Sequence, residues 1–250
     1  MAISILVNRS TLTFNVLIPL GLSSLCVASP SYAAIINGGF DTGDLAEWTT
    51  IGNTNIETAE FGSGPTEGTY EALVTNSSGS ISVPDLETFL GLDLGSLNDL
   101  GNGITYNGSA IKQTFTANAG DVLTFDWNFL KKEEPDPIFN DFAFVSLNSL
   151  STLASPLKSS LVPFSDFEQQ FDRQTKFQTF SFTIPNTGTY TLGLGVANVT
   201  DTTGFSGLLV DNVSLEPIPE PSSVLGILVM GGLGLGRLLK RKQQSAKLRN

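Results

Sequence analysis

Carboxylates are the only side chains of this 250-residue chain numerous and clustered enough to do chemistry: there are 24 Asp and Glu, no histidine, and one cysteine, Cys26. Without histidine there is no Ser-His-Asp triad, no Cys-His pair, and no zinc site built from its usual ligands. Carboxylates alone suffice for glycoside hydrolysis, which needs one acid and one base or nucleophile at the right separation. The densest local group is Glu133, Glu134, Asp136 and Asp141. Its setting speaks against catalysis, because Glu133-Glu134 beside Lys131-Lys132 and just before Pro135 and Pro137 reads as a solvated loop. The glycines are scattered among turns and form no phosphate-cradling loop.

Asp211 draws attention for a different reason. It shares period-2 parity with Leu209, Val213 and Leu215, which points it toward the core. A buried carboxylate is strongly disfavoured unless hydrogen bonds, a basic group or a metal meet it. Basic groups are scarce: between Ala34 and Ile218 six Lys and Arg stand against 23 Asp and Glu, a formal charge of −17. Either a metal meets Asp211, or it lies at the rim of the fold and takes backbone N–H groups. The acidity itself repels nucleic acid and anionic membrane, and suits solubility outside a cell, divalent cations or neutral polymers.

The elements that must position these groups are strands. Leu123, Phe125, Trp127 and Phe129 fall on one face of a run whose other face carries Thr124, Asp126 and Asn128. The same parity holds for Phe180, Phe182 and Ile184, and for Tyr190, Leu192, Leu194 and Val196. Turn residues separate the runs at Asn118-Ala119-Gly120-Asp121 and at Pro185-Asn186-Thr187-Gly188, the second predicting a hairpin. Further strands are expected near 110–116 and 141–147. Pro84 to Leu100 reads as a short helix followed by a Gly- and Leu-rich loop packed on one end, and 131–137 and 150–170 as loops or covering segments. The fold expected is all-β: an antiparallel β-sandwich or jelly roll with a short helical insertion. No repeat of solenoid type and no regular Thr-x-Thr ladder is visible.

Both ends read as processing signals. Arg9 precedes an apolar stretch from Leu12 to Val27, interrupted by Pro19 and Gly21 and followed by Ser31-Tyr32-Ala33-Ala34. That is the pattern signal peptidase cleaves, here after Ala33 or Ala34. Leu25 before Cys26 is the wrong residue for lipidation, and removal of the segment leaves neither disulfides nor thiol chemistry. At the other end, Pro219-Glu220-Pro221-Ser222 leads into an apolar run from Val224 to Gly236 and then Arg237, Lys240, Arg241 and Lys242. As a helix, Ser222 to Leu239 is about 27 Å long, just enough to cross a bilayer with the basic end in the cytoplasm. The expected organisation is a signal peptide (1–33), an exported sandwich (34–216), a sorting motif with transmembrane helix and basic end (217–242), and a short cytoplasmic tail (243–250).

The tail resembles the PEP-CTERM sorting signal of exported bacterial proteins, also catalogued as an ice-binding-protein C-terminal domain, a name that implies nothing about ice here. The motif residues are Pro219, Glu220, Pro221 and Ser222, and Arg237, Lys240, Arg241 and Lys242 form the basic anchor. The resemblance implies recognition by an exosortase-type membrane peptidase, cutting near Pro219 to Pro221, and association with exopolysaccharide. The body is similar to galactose-binding-like jelly rolls and carbohydrate-binding modules, through Asn37-Gly38-Gly39-Phe40-Asp41 with Trp48 at its start and Leu209-Val210-Asp211-Asn212-Val213-Ser214-Leu215 at its end. It departs from them in lacking an obvious aromatic sugar platform. That resemblance implies a structural Ca²⁺ where first and last strands meet, with Asp41 and Asp211 as its acidic ligands and loop carbonyls completing the shell.

These readings together point to a non-enzymatic surface or matrix protein, exported, anchored for a time in the inner membrane, then placed at the cell surface or outside, and engaging exopolysaccharide. The alternatives are a carbohydrate-active enzyme using paired carboxylates and a purely structural surface protein. Exposed aromatics on a loop or sheet face favour glycan binding, and two carboxylates converging in a cleft favour the enzyme. A convex surface with neither favours the structural role.

Overall fold

The computed structural model describes residues 35–217 apart from 62, 133–137, 165–169 and 203–204. The sorting motif, the basic anchor, the signal peptide and the C-terminal helix lie outside the described residues. All that is described belongs to the unit Tyr32–Asn250.

The chain forms β1 (Thr49–Ile51), β2 (Asn53–Thr58), β3 (Tyr70–Thr75) and β4 (Ile81–Ser82), then α1 (Val83–Leu90) and α2 (Ser96–Asp99). There follow β5 (Thr105–Ala117), β6 (Val122–Lys131), β7 (Phe142–Ser146), β8 (Leu150–Ala154), β9 (Val162–Pro163), β10 (Arg173–Gln174), β11 (Gln178–Thr183), β12 (Gly188–Val199) and β13 (Ser206–Glu216). Sheet A runs β1-β5-β12-β7-β8, with β4 also on β5. Sheet B runs β2-β3-β13-β6-β10-β9, with β11 also on β6. Every pairing is antiparallel, so the all-β sandwich expected from the alternation is the architecture observed.

The main core lies between the sheets. Leu123, Phe125, Trp127 and Phe129 of β6 face Ile111 and Phe115 of β5 and Leu192, Leu194 and Val196 of β12. Burying each such side chain contributes about 1.5–3 kcal/mol.

The segment Pro185–Gly188 turns the chain but makes no hairpin: β11 pairs with β6 in sheet B, while β12 pairs with β5 in sheet A. The turn at 118–121 likewise carries the chain from β5 in sheet A to β6 in sheet B. The two crossings brace each other, with Gly120 N–H donating to the Ile184 carbonyl (2.8 Å) and Ile184 N–H to that of Asp121 (2.8 Å). Each strand buries one face, and that face is covered equally well by a neighbour across the sandwich.

Parity also breaks inside β13. Between the pairs Asp211–Asp126 and Ser214–Thr124, the two residues Asn212 and Val213 oppose the single Phe125 of β6, a bulge at which Asn212 takes a left-handed φ of 50°. Val213 therefore joins the main core, with Leu208 and Val210 as its inward companions. Leu209 instead packs on the outer face of sheet B with Leu73, Leu130, Phe164 and Phe171. Asp211 follows Leu209, so it is buried on that outer face and not in the central core.

The helical insertion covers the outer face of sheet A, not an end of the sandwich. Val83, Leu86, Leu90 and Leu97 sit on Ala110, Phe142, Phe144, Ala197 and Val199. The Ser82 hydroxyl caps α1 by accepting from Asp85 N–H, and Gly91 ends it at φ 72°, a conformation glycine adopts without strain. The Glu87 carboxylate, accepting from Gly95 N–H (2.8 Å) and Leu97 N–H (2.9 Å), fixes α2 against it.

Candidate functional site

Of the carboxylates weighed for acid–base work, Glu133, Glu134 and Asp136 lie outside the described residues. Asp141 is buried and fully engaged. It pairs with Lys131 Nζ at 2.7 Å and accepts from Val199 N–H (3.0 Å) and Ser206 Oγ–H (2.9 Å). A group so committed holds strands together and is not free to exchange a proton with a substrate.

Asp41 and Asp211 both reach the segment joining β2 to β3, at successive residues. Asp211 Oδ2 accepts from Thr66 N–H (2.7 Å), Glu67 N–H (2.8 Å) and Thr66 Oγ–H (3.0 Å), and Oδ1 from Asn212 N–H (2.7 Å). Backbone donors thus meet the need that its burial creates. Asp41 is exposed, takes a long bond from Thr69 N–H (3.4 Å), and packs so closely on Gly68 that a Cβ there would fall 2.1 Å from its Oδ1. The oxygens are of the type Ca²⁺ prefers. Among the described residues, however, no three acidic side chains are grouped to hold a metal.

What the sequence did not disclose is the company Asp211 keeps. Register places Glu57 of β2 opposite Glu71 of β3, and Asp211 of β13 opposite Asp126 of β6. The β3–β13 ladder ends at Ala72 opposite Val210, so Glu71 and Asp211 come next, side by side. Four carboxylates therefore cross four neighbouring strands on the outer face of sheet B. Glu71 is completely buried and neither of its oxygens has a hydrogen-bond partner in the protein. Burial, and then the charges of Asp211 and Glu57, push its carboxyl up to about 8. Burial also raises Asp211, against the lowering by its hydrogen bonds, and raises Glu57. The available signal was the run Ala72-Leu73-Val74 after Glu71, too continuously apolar for a strand with one wet face.

The open part of the outer face of sheet A has the opposite character. A cleft of about 400 Å³ lies between the end of α1 (Leu90–Leu92) and the turn from β7 to β8 (Ser146–Leu150), with Thr191 of β12 in its wall. The lining is leucine, hydroxyl and amide, with no charged side chain. The Thr191 hydroxyl bonds that of Thr114 on β5 at 2.9 Å, and Thr116 and Thr189 pair one step further along. These two Thr-x-Thr runs, 75 positions apart in sequence, become a small hydroxyl patch beside the cleft. Tyr106 and Phe205, the exposed aromatics among the described residues, do not line it.

No protein-family model matches the chain, and no curated protein matches it at a significant level. Solved structures do match. One is the carbohydrate-binding module TmCBM61 in complex with β-1,4-galactotriose, at 12% identity over 75% of this chain and 100% of that one, with a TM-score of 0.40. Another is the K1 cleaved adhesin domain of Lys-gingipain from Porphyromonas gingivalis W83, at 14% identity over 72% and 96% of the two chains, TM-score 0.38. A third is the enzymatically active domain of bacteriophage CBA120 tailspike protein 4, at 12% identity over 76% of this chain but 22% of that one, TM-score 0.36. At such identities a likeness of architecture says nothing of a shared ligand.

Proposed function

We propose that the chain is an exported surface or matrix protein whose sandwich binds a neutral exopolysaccharide in the cleft on the outer face of sheet A. One observation carries this reading: an uncharged cleft, with Thr191 in its wall and a patch of paired threonine hydroxyls beside it, in a domain whose formal charge is −17. An acidic ligand is repelled by such a domain, and a cationic one finds no counter-charge in the cleft. Hydroxyls, amides and aliphatic side chains are what a neutral sugar needs, and the volume fits a small-ligand site. Signal peptide and PEP-CTERM tail supply the route: signal peptidase acts at the N-terminus, the C-terminal helix holds the protein in the inner membrane, and an exosortase-type peptidase cuts near Pro219 to Pro221.

The test is retention of the exported protein on immobilised exopolysaccharide of the producing organism. Retention should persist at about 0.5 M salt, where charge attraction is screened. Thr191→Arg, which plugs the cleft from the exposed sheet face, should abolish retention while leaving the melting temperature near that of the parent. Absence of retention, or equal retention by T191R, overturns the proposal.

A further inference from the structure

The buried carboxyl of Glu71 has no partner, and it is this deficit, not Asp41, that calls for a cation. We propose that Glu71 and Asp211 form the heart of a divalent-cation site on the outer face of sheet B, flanked by Glu57 and Asp126 and roofed by the turn at Thr66 and Glu67.

Three observations carry it. First, like charges directly opposite one another across a sheet are destabilising, and here the contact is repeated along a row of four strands. None of the four carboxylates is in an ion pair; the two between described residues join Lys131 to Asp141 and Lys132 to Asp172. Second, buried polar groups almost always have partners, yet both oxygens of the wholly buried Glu71 have none. Third, the hydrogen bonds to Asp211 are uneven. Three donors crowd Oδ2, whereas Oδ1 takes only Asn212 N–H and keeps a free lone pair.

Asp126 differs from Glu71 in being half-buried and bonded to Thr179 Oγ–H (2.6 Å) and Asn212 Nδ2–H (3.3 Å), and it shares the single Thr66 Oγ–H (2.9 Å) with Asp211, so it lends charge more than an open coordination position. With no three carboxylates among the described residues already grouped to hold a metal, a cation is met by two at a time. Turn oxygens and waters then complete the about six to eight ligands that Ca²⁺ takes. The site departs from the Asp41–Asp211 pair that the jelly-roll resemblance implies, and the two are separable.

The experiment melts the purified protein, shown by elemental analysis to start metal-free, in EDTA and in millimolar Ca²⁺. At about a hundred times the dissociation constant, Ca²⁺ should raise the melting temperature by about 5 °C or more. Asp41→Asn should keep that shift. Glu71→Gln should lose it, while melting in EDTA no lower than the parent, because the amide removes the repulsion without leaving a hole. No shift in the parent overturns the proposal, as does a shift that survives in E71Q or one lost in D41N but kept in E71Q.

Discussion

Lys131 Nζ and Asp141 Oδ2 meet at 2.7 Å with 1% of either side chain exposed, and their contact ties β6 of sheet B to the start of β7 in sheet A. Removing either partner takes the counter-charge at 2.7 Å away from a buried ion. Lys131→Ala or Asp141→Ala should therefore cost about 3–5 kcal/mol, read by chemical denaturation. Lys131→Met combined with Asp141→Asn should recover part of that, since the amide oxygen still accepts from Val199 N–H. A double variant as unstable as the worse single one would contradict this account.

Glu71 should make the metal-free protein lose stability as pH rises. Its folded-state value of about 8 lies above the ordinary 4.5, so the folded state holds the proton more tightly than the unfolded one. The contribution is complete below about pH 4.5 and is lost progressively up to about pH 8, a span on the order of a few kcal/mol. Asp211 and Glu57, also raised by burial, act in the same direction. In EDTA, the melting temperature of the parent should fall more steeply between pH 5 and pH 8 than that of Glu71→Gln. Parallel curves would contradict this.

Gly38 admits no side chain. An added Cβ would lie 1.9 Å from the carbonyl oxygen of Val213, at the point where Val213 N–H donates to the Gly38 carbonyl (3.0 Å). Both clashing atoms of Val213 are backbone, so Gly38→Ala should lift the strap formed by residues 35–48 off β13 at a cost of about 1–3 kcal/mol. Faster hydrogen exchange at the Val213 amide would report it. An unchanged exchange rate would mean that the strap can shift as a body.

The proposed processing is checked at both ends of the exported protein. N-terminal sequencing should begin at Ala34 or Ile35, and a species starting at Met1 or Ala2 outside the cell would refute cleavage. Replacing Pro219-Glu220-Pro221 by three alanines keeps the apolar run but erases the motif, so that variant should accumulate uncut in the membrane. Unchanged release would mean that the tail is an ordinary anchor.

What the sequence disclosed, and what it did not, divides along the range of the interactions. Alternation in Leu123 to Phe129 reads correctly because the main core of the sandwich covers that face throughout. Asp211 lies on the opposite face from the one its alternation predicts, since one bulge at Asn212 reverses parity. The turn at 185–188 is legible as a reversal, but local chemistry cannot tell a hairpin from a crossing between sheets. Glu71 is hidden for a related reason. Its neighbours in space, Glu57 and Asp211, come from strands whose register only the assembled sheet defines.

The last strand among the described residues is not an edge. β13 is bonded to β3 along one side and to β6 along the other, and it ends at Glu216. A pull applied beyond Glu216 acts along the strand axis and loads both ladders in shear at once, where the same pull on an edge strand would open one ladder rung by rung. Tension along such a connection therefore has to break many hydrogen bonds together before the domain yields.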